Sequence, residues 1–245
     1  MKTKEEIFKK LLFIDTETTG LGEEDRVFQV AYEFEAVEYN ELFKPALPIC
    51  IEAMETTHFT NKDVADKGDF KDSKMEKHLA EIFKNTENIF IAHNAKFDVK
   101  MLEKENLKVG PVIDTLKIAQ FLDPNTKLGA YRLQYLRYAL DLEVKDAQAH
   151  DALGDIRVLK SLFERLFDKM AKDESPENVI EKMIKISAEP MEIKKINFGK
   201  HKGKLVSEVA MTDKGYLQWL LKEKEKQAAE GDVDEDWIFT LKKYI

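Results

Sequence analysis

Asp15-Thr16-Glu17-Thr18-Thr19-Gly20 places two carboxylates two positions apart, directly after the apolar run Leu11-Leu12-Phe13-Ile14. Residues i and i+2 of a strand face the same way, so Asp15 and Glu17 present their charges on one side, roughly 7 Å apart by strand rise. Like charges at that spacing repel unless cations lie between them. Asp98 ends the segment His93-Asn94-Ala95-Lys96-Phe97-Asp98, and Asp155 ends His150-Asp151-Ala152-Leu153-Gly154-Asp155. Brought together, Asp15, Glu17, Asp98 and Asp155 make an oxygen-rich site suited to Mg²⁺ or Mn²⁺. Two such ions about 3.5–4 Å apart stabilise the attacking and the leaving oxygen of an in-line phosphoryl displacement. His150, with a reference pKa of about 6.5, is suited to take the proton from an attacking water. The chemistry these parts would do is phosphodiester hydrolysis.

Taken singly, each segment also has a plainer reading. The first is equally a polar strand end running into a glycine turn. Asp98, in the first turn of a helix, is favoured there by the helix dipole. Were His150 and Asp155 both mid-helix, they would point about 140° apart. They share a site only if His150 lies in the loop before the helix and Asp155 in its early turns. Gly154 costs that helix about 1 kcal/mol relative to Ala, which suits close approach of another group.

The elements that must position these residues follow from the apolar pattern. Leu11 to Ile14, Val27 to Phe34, Val37 to Phe43, Asn88 to Ala92 and Val112-Ile113 read as strands. Asp72 to Lys84, a segment from Asn94 through Leu102, Tyr131 to Leu140 and Ala152 to Met170 read as helices, with Asn94 and Asp114 as caps. Three strands followed by strand–helix alternation imply an α/β fold, a mixed five-stranded sheet flanked by helices. Residues 1–172 are expected to form this domain, 173–191 a helix and linker with Ser175 and Pro176 at the helix start, and 192–245 a small α+β module.

A length of 245 residues suits one substantial domain plus an appendage. No run is long and apolar enough to span a membrane, and residues 1–10 lack the apolar core of a secretory signal, so a cytoplasmic location is expected. The lone Cys50, between Ile49 and Ile51, allows no disulfide within the chain and is expected to be a buried structural thiol. A net charge of −8 argues against a nucleic-acid partner, but metal-bound carboxylates would reverse the local field.

The three acidic segments, Asp15-Thr-Glu-Thr-Thr-Gly, His93-Asn-Ala-Lys-Phe-Asp98 and His150-Asp-Ala-Leu-Gly-Asp155, resemble in order and type the three motifs of the DEDDh exonucleases. These are DnaQ-like relatives of the proofreading subunit of bacterial DNA polymerase III. The resemblance covers roughly residues 10 to 170. It implies a ribonuclease-H-like fold, two metals held by Asp15, Glu17, Asp98 and Asp155, and His150 as general base. The histidine stands five residues before the aspartate, as in that group; a tyrosine in its place would mark the sister DEDDy group. The same resemblance puts the backbone near Thr18 against the sugar of the terminal nucleotide and Leu21 as a wedge at the last bases, where ordinary packing is the plainer role for Leu21. His58 falls in a segment that commonly carries a histidine, although Phe59 replaces the usual following glycine. It is either a substrate contact or a loop histidine. Lys96 faces either a phosphate or solvent, and His93 is expected to tie down the end of its strand.

The densest basic stretch runs from Lys194 to Lys204 and interleaves Phe198, Gly199 and Gly203 with lysines. It suggests phosphate contacts from Lys200 and Lys202 with base stacking on Phe198, or else a solvated hairpin on a small core. With Tyr216-Leu-Gln-Trp-Leu220 it resembles the small C-terminal domain of exonuclease-X-like bacterial proteins. The expected activity is 3′–5′ exonuclease cleavage of single-stranded DNA or DNA 3′ ends, releasing nucleoside 5′-monophosphates. RNA as substrate, a catalytically dead binding module and a small-molecule phosphoesterase are the competing readings.

Overall fold

The computed structural model describes residues 3–144, 152–172, 174–230 and 233–245. Five strands form one sheet: β1 (Leu11–Thr18), β2 (Val27–Phe34), β3 (Val37–Leu42), β4 (Ile89–Ala92) and β5 (Val112–Asp114), in the order β3-β2-β1-β4-β5. The first three are antiparallel neighbours, and β4 and β5 run parallel to β1. The mixed sheet expected from the sequence is therefore present. Around it lie α1 (Lys4–Phe8), α2 (Ile51–Thr57), α3 (Asn61–Val64), α4 (Lys74–Lys84), α5 (Lys96–Lys104), α6 (Thr115–Phe121), α7 (Leu133–Ala139), α8 (Ala152–Met170) and α9 (Pro176–Ala188).

Strand alternation splits the apolar residues of β1 between two cores. Leu11 and Phe13 face Ile156, Leu159, Leu162 and Phe163 of α8, while Leu12 and Ile14 face Met75, Leu79, Met101 and Leu102 of α4 and α5. Helix α8 buries Ala152, Ile156, Leu159, Phe163, Leu166 and Met170 at steps of three and four. At roughly 1.5–3 kcal/mol for each fully buried large apolar side chain, this helix is a principal holder of the sheet. Truncating Phe163, packed edge-on to Phe13 with centroids 5.5 Å apart, would open a cavity costing about 3–5 kcal/mol.

The chain divides into a unit of Met1–Ser187 and one of Ala188–Ile245. Helix α9, assigned from the sequence to a helix-and-linker segment, adds Val179, Ile180 and Met183 to the α8 core. Ser187 lies within α9; its Oγ accepts a bond from the Asp114 amide at 2.8 Å. The second unit holds α10 (Val206–Thr212), α11 (Lys214–Ala229) and α12 (Glu235–Tyr244) around Ile196, Val206, Val209, Leu217, Leu220, Trp237 and Leu241. Among the described residues its only β pairing is a single bridge, Lys195 to Leu205, because Gly199 and Gly203 take positive φ and curl the basic segment into a short 3₁₀ turn. The α+β expectation for this module is thus corrected to a helical unit.

Two local expectations also change. Asn94 does not cap α5: it adopts a left-handed conformation, φ +67°, and the helix starts after Ala95 without a side-chain cap. Asparagine tolerates both roles, and here the Asp114 side chain accepts the Asn94 amide instead, at 3.0 Å. Cys50 is half-buried rather than buried, since its sulfur is used as the cap of α2, accepting the Ala53 amide at 3.4 Å.

Candidate active site

The acidic residues of β1 lie at its C-terminal end, where ligands of open α/β sheets bind. Asp15 and Glu17 continue the face of Leu11 and Phe13, towards α8. A register shift between Glu17 and Thr18 ends the regular pairing with β2, the kind of irregularity that re-aims a strand end. Asp155 comes from the first turn of α8 on that same face. Asp98 comes from α5 on the opposite face and is only 4% exposed.

Thr16 connects the two faces. It lies between the two acids of β1 and points the other way, and both its amide (3.0 Å) and its hydroxyl (2.7 Å) donate to Asp98 Oδ1. Nothing in the motif spacing identified this role. A polar residue at a core-facing position of the strand, after Leu12 and Ile14, was the available signal. Gln134 of α7 was likewise missed; its amide donates to Asp155 Oδ1.

The carboxylates lie close enough to act on one another's charge. Burial, followed by the charges of Asp98, Glu17 and Asp155, raises the Asp15 pKa well above its ordinary value. Burial, then Asp155 and Asp98, raises Glu17 to about 7. Burial also raises Asp98 to about 7, against the two Thr16 bonds that favour its ionised form. Among the described residues no three His, Cys, Asp or Glu side chains are gathered into a ready-made metal shell. The donor set nonetheless fits hard divalent cations: oxygen-only side chains, one buried and three half-buried, whose mutual repulsion a cation would relieve. His150 lies outside the described residues.

The loop after β1 is built to expose Leu21. Asp25 accepts the Thr19 hydroxyl at 2.6 Å and the Gly22 amide at 2.7 Å, and the Thr18 hydroxyl closes on the Gly20 carbonyl at 2.8 Å. A Cβ on Gly20 would meet the Asp25 carboxylate at 2.7 Å, closer than real contacts allow, so any larger residue there must push Asp25 aside. Leu21 stands 83% exposed, which excludes ordinary packing as its role. The Thr19 carbonyl accepts the Cys50 amide at 2.9 Å, which ties the loop to the start of α2.

His93 is a structural tie. One ring nitrogen meets the Thr115 hydroxyl at 2.9 Å and the other the Tyr131 carbonyl at 2.6 Å. A carbonyl only accepts, so Nε2 carries the proton, and burial keeps the ring neutral with a pKa of about 4. Asp114 caps α6 as expected, accepting the Leu116 amide at 2.9 Å. His58 ends α2 in a left-handed conformation and is exposed. In the second unit, Lys200 pairs with Asp213 at 2.7 Å and lies 5.2 Å from the Tyr216 ring; both Lys200 and Lys202 are exposed. Phe198 is half-buried against Trp237, centroids 5.3 Å apart. Trp219, by contrast, is 53% exposed.

Residues 12–163 match the family model described as Exonuclease (RNase T), and residues 196–225 match one described as Exodeoxyribonuclease X-like C-terminal. The chain is 30% identical over 241 residues to Exodeoxyribonuclease 10 of Escherichia coli K12, covering 96% of this chain and 98% of that protein. To DNA polymerase III subunit epsilon of Treponema pallidum it is 33% identical over 170 residues, 64% of this chain and 76% of that one. A solved structure of Exonuclease X in complex with 5′ overhanging duplex DNA matches with a TM-score of 0.56 at 25% identity, covering 73% of this chain and 99% of that one.

Proposed function

The chain belongs to the exonuclease family, and from that premise we propose that it removes nucleotides from the 3′ end of a DNA strand, using two Mg²⁺ or Mn²⁺ ions and His150 as general base. The observation that carries this reading is the convergence of Asp15, Glu17, Asp98 and Asp155 from both faces of the sheet onto one strand end. These four carboxylates would hold the ions. Bound there, the ions would supply Lewis acidity and lower the pKa of a water.

The protein's own residues do the rest. Thr16 fixes the rotamer of Asp98. The loop behind Gly20 holds the Thr18 backbone for the terminal sugar and projects Leu21 against the last base. His150 takes the proton of the attacking water; the water oxygen bonds to phosphorus, the P–O3′ bond breaks, O3′ stays on the shortened strand and takes up a proton to become its new 3′-hydroxyl, and a nucleoside 5′-monophosphate leaves. Lys200 and Lys202 of the second unit contact phosphates further along the strand, and His58 contacts the strand near the site. DNA is favoured because the relatives above are an exodeoxyribonuclease and a DNA polymerase subunit, and the Exonuclease X neighbour holds DNA. Among the described residues no helix is long and apolar enough to cross a membrane.

The test is degradation of a 5′-labelled single strand, as DNA and as RNA, with Mg²⁺ or with chelator. The expected result is a metal-dependent ladder shrinking from the 3′ end, faster on DNA. Faster loss of RNA would reassign the substrate, since the 2′-hydroxyl is what distinguishes the two polymers. No cleavage of either strand with metal bound would leave a binding module or a small-molecule phosphoesterase.

A further inference from the structure

Gln134 lies on α7, outside all three acidic motifs. Its side-chain amide donates to Asp155 Oδ1. A carboxylate only accepts, so the nitrogen must face Asp155 and the amide oxygen must face away. That oxygen is buried and has no hydrogen-bond partner among the described residues. Buried acceptors are nearly always paired, so a contact that served only stability would be an unusual one to keep. The helix carrying Gln134 is itself held on several sides. Leu136 is fully buried in the α8 core. Arg137 donates to the Val144 carbonyl at 3.3 Å. The Tyr131 carbonyl, just before the helix, accepts from His93 at 2.6 Å, and Tyr131 also donates its hydroxyl to Asp123 at 2.9 Å. His93 opens the segment that ends in Asp98, so α7 connects the second acidic segment to the third.

We infer that Gln134 is a positioning residue, holding the Asp155 carboxylate in the orientation that receives a divalent cation and so setting the protein's metal affinity. The inference rests on the reading of Asp155 as a metal ligand. Outer partners of metal ligands typically change metal affinity or activity by roughly 10–100-fold when removed, and Gln134 is placed to act in that way on Asp155.

The experiment compares full-length wild type, Gln134→Met, Gln134→Glu and Asp155→Asn. Each is titrated with Mn²⁺ by calorimetry and by thermal shift, and assayed on single-stranded DNA at varied Mg²⁺. Methionine keeps the length and removes both amide atoms. Glutamate keeps the shape but replaces the donor with a like charge. The expected result for both Gln134 variants is metal half-saturation weakened roughly 10–100-fold, KM for DNA unchanged, and activity largely restored at high metal. The metal-free melting temperature of Gln134→Met should equal or exceed that of wild type. A lower metal-free melting temperature with unchanged metal half-saturation would make Gln134 merely structural and overturn the inference. If Asp155→Asn itself leaves metal binding and cleavage intact, the assignment of Asp155 fails, and the Gln134 inference fails with it. That outcome is read from the Asp155 variant alone and is distinct from a failure confined to Gln134.

Discussion

Asp15, Glu17 and Asp98 all hold protons more tightly than ordinary carboxylates do, because burial opposes their ionisation, aided at Asp15 and Glu17 by the charges of the neighbouring carboxylates and at Asp98 by that of Asp114. A native carboxyl with a raised pKa binds more protons than its unfolded counterpart between the two values, so stability falls as pH rises through that window. For Glu17 and Asp98 the window runs from the ordinary values of 4.5 and 3.8 up to about 7. Metal-free protein is therefore expected to lose stability between those limits. The gain in melting temperature on adding Mg²⁺ should be small at the acid end and largest above pH 7, as differential scanning fluorimetry in paired buffers would record. A gain independent of pH would contradict this account of the cluster. Asp15→Asn removes one of the mutually repelling charges. Its metal-free form should be more stable, by on the order of 1 kcal/mol or about 2–4 °C. Its exonuclease rate should fall more than about a hundredfold, beyond the effect of losing an outer partner. A destabilised Asp15→Asn that still cuts would reverse both conclusions.

The loop from Thr18 to Arg26 is organised by one carboxylate, Asp25, packed where a side chain on Gly20 would be. Gly20→Ala should displace Asp25, release the Thr19 and Gly22 bonds and cost about 1–3 kcal/mol. Because Leu21 is carried by this loop, KM for DNA should rise in steady-state assays. Gly22→Ala meets the same carboxylate less closely, at 3.1 Å, and should be milder. At this scale the sequence was legible where a period or a spacing carried the information. The strands and α8 followed from the apolar pattern, and the acids of β1 and Asp155 followed from their motifs. It was not legible where one residue type serves two roles: Asn94 reads as a cap yet takes the left-handed turn before α5, and Cys50 reads as core yet caps α2. Thr16 and Gln134 act across 82 and 21 residues of sequence, and only the folded sheet brings them to their carboxylates. Phe198 and Trp219 show the same limit, since which aromatic is exposed depends on the small core of the second unit.

Each of the two units has a core built from its own residues. The second unit carries eleven lysines against eleven acidic residues, so the chain's net charge of −8 resides in the first. That unit is the one with the carboxylate cluster, and it has the less favourable charge for holding a long polyanion. Removal of everything after Ser187, which keeps the Ser187 bond to Asp114, should leave a chain that unfolds cooperatively. It should cleave short oligonucleotides at the wild-type rate, while KM for long strands rises and becomes less sensitive to salt. Unchanged KM on long strands would show that the second unit does not grip nucleic acid. The placement of the four acids on both faces of the sheet also bears on the cell that makes the protein. The ribosome delivers Asp15 and Glu17 first, Asp98 next and Asp155 only with α8, the helix packed across β1, β2 and β3. On the proposed chemistry, a nascent chain that ends before α8 lacks Asp155 and a half-denatured one lacks the shared strand end, so folding itself would act as the safety catch on the activity.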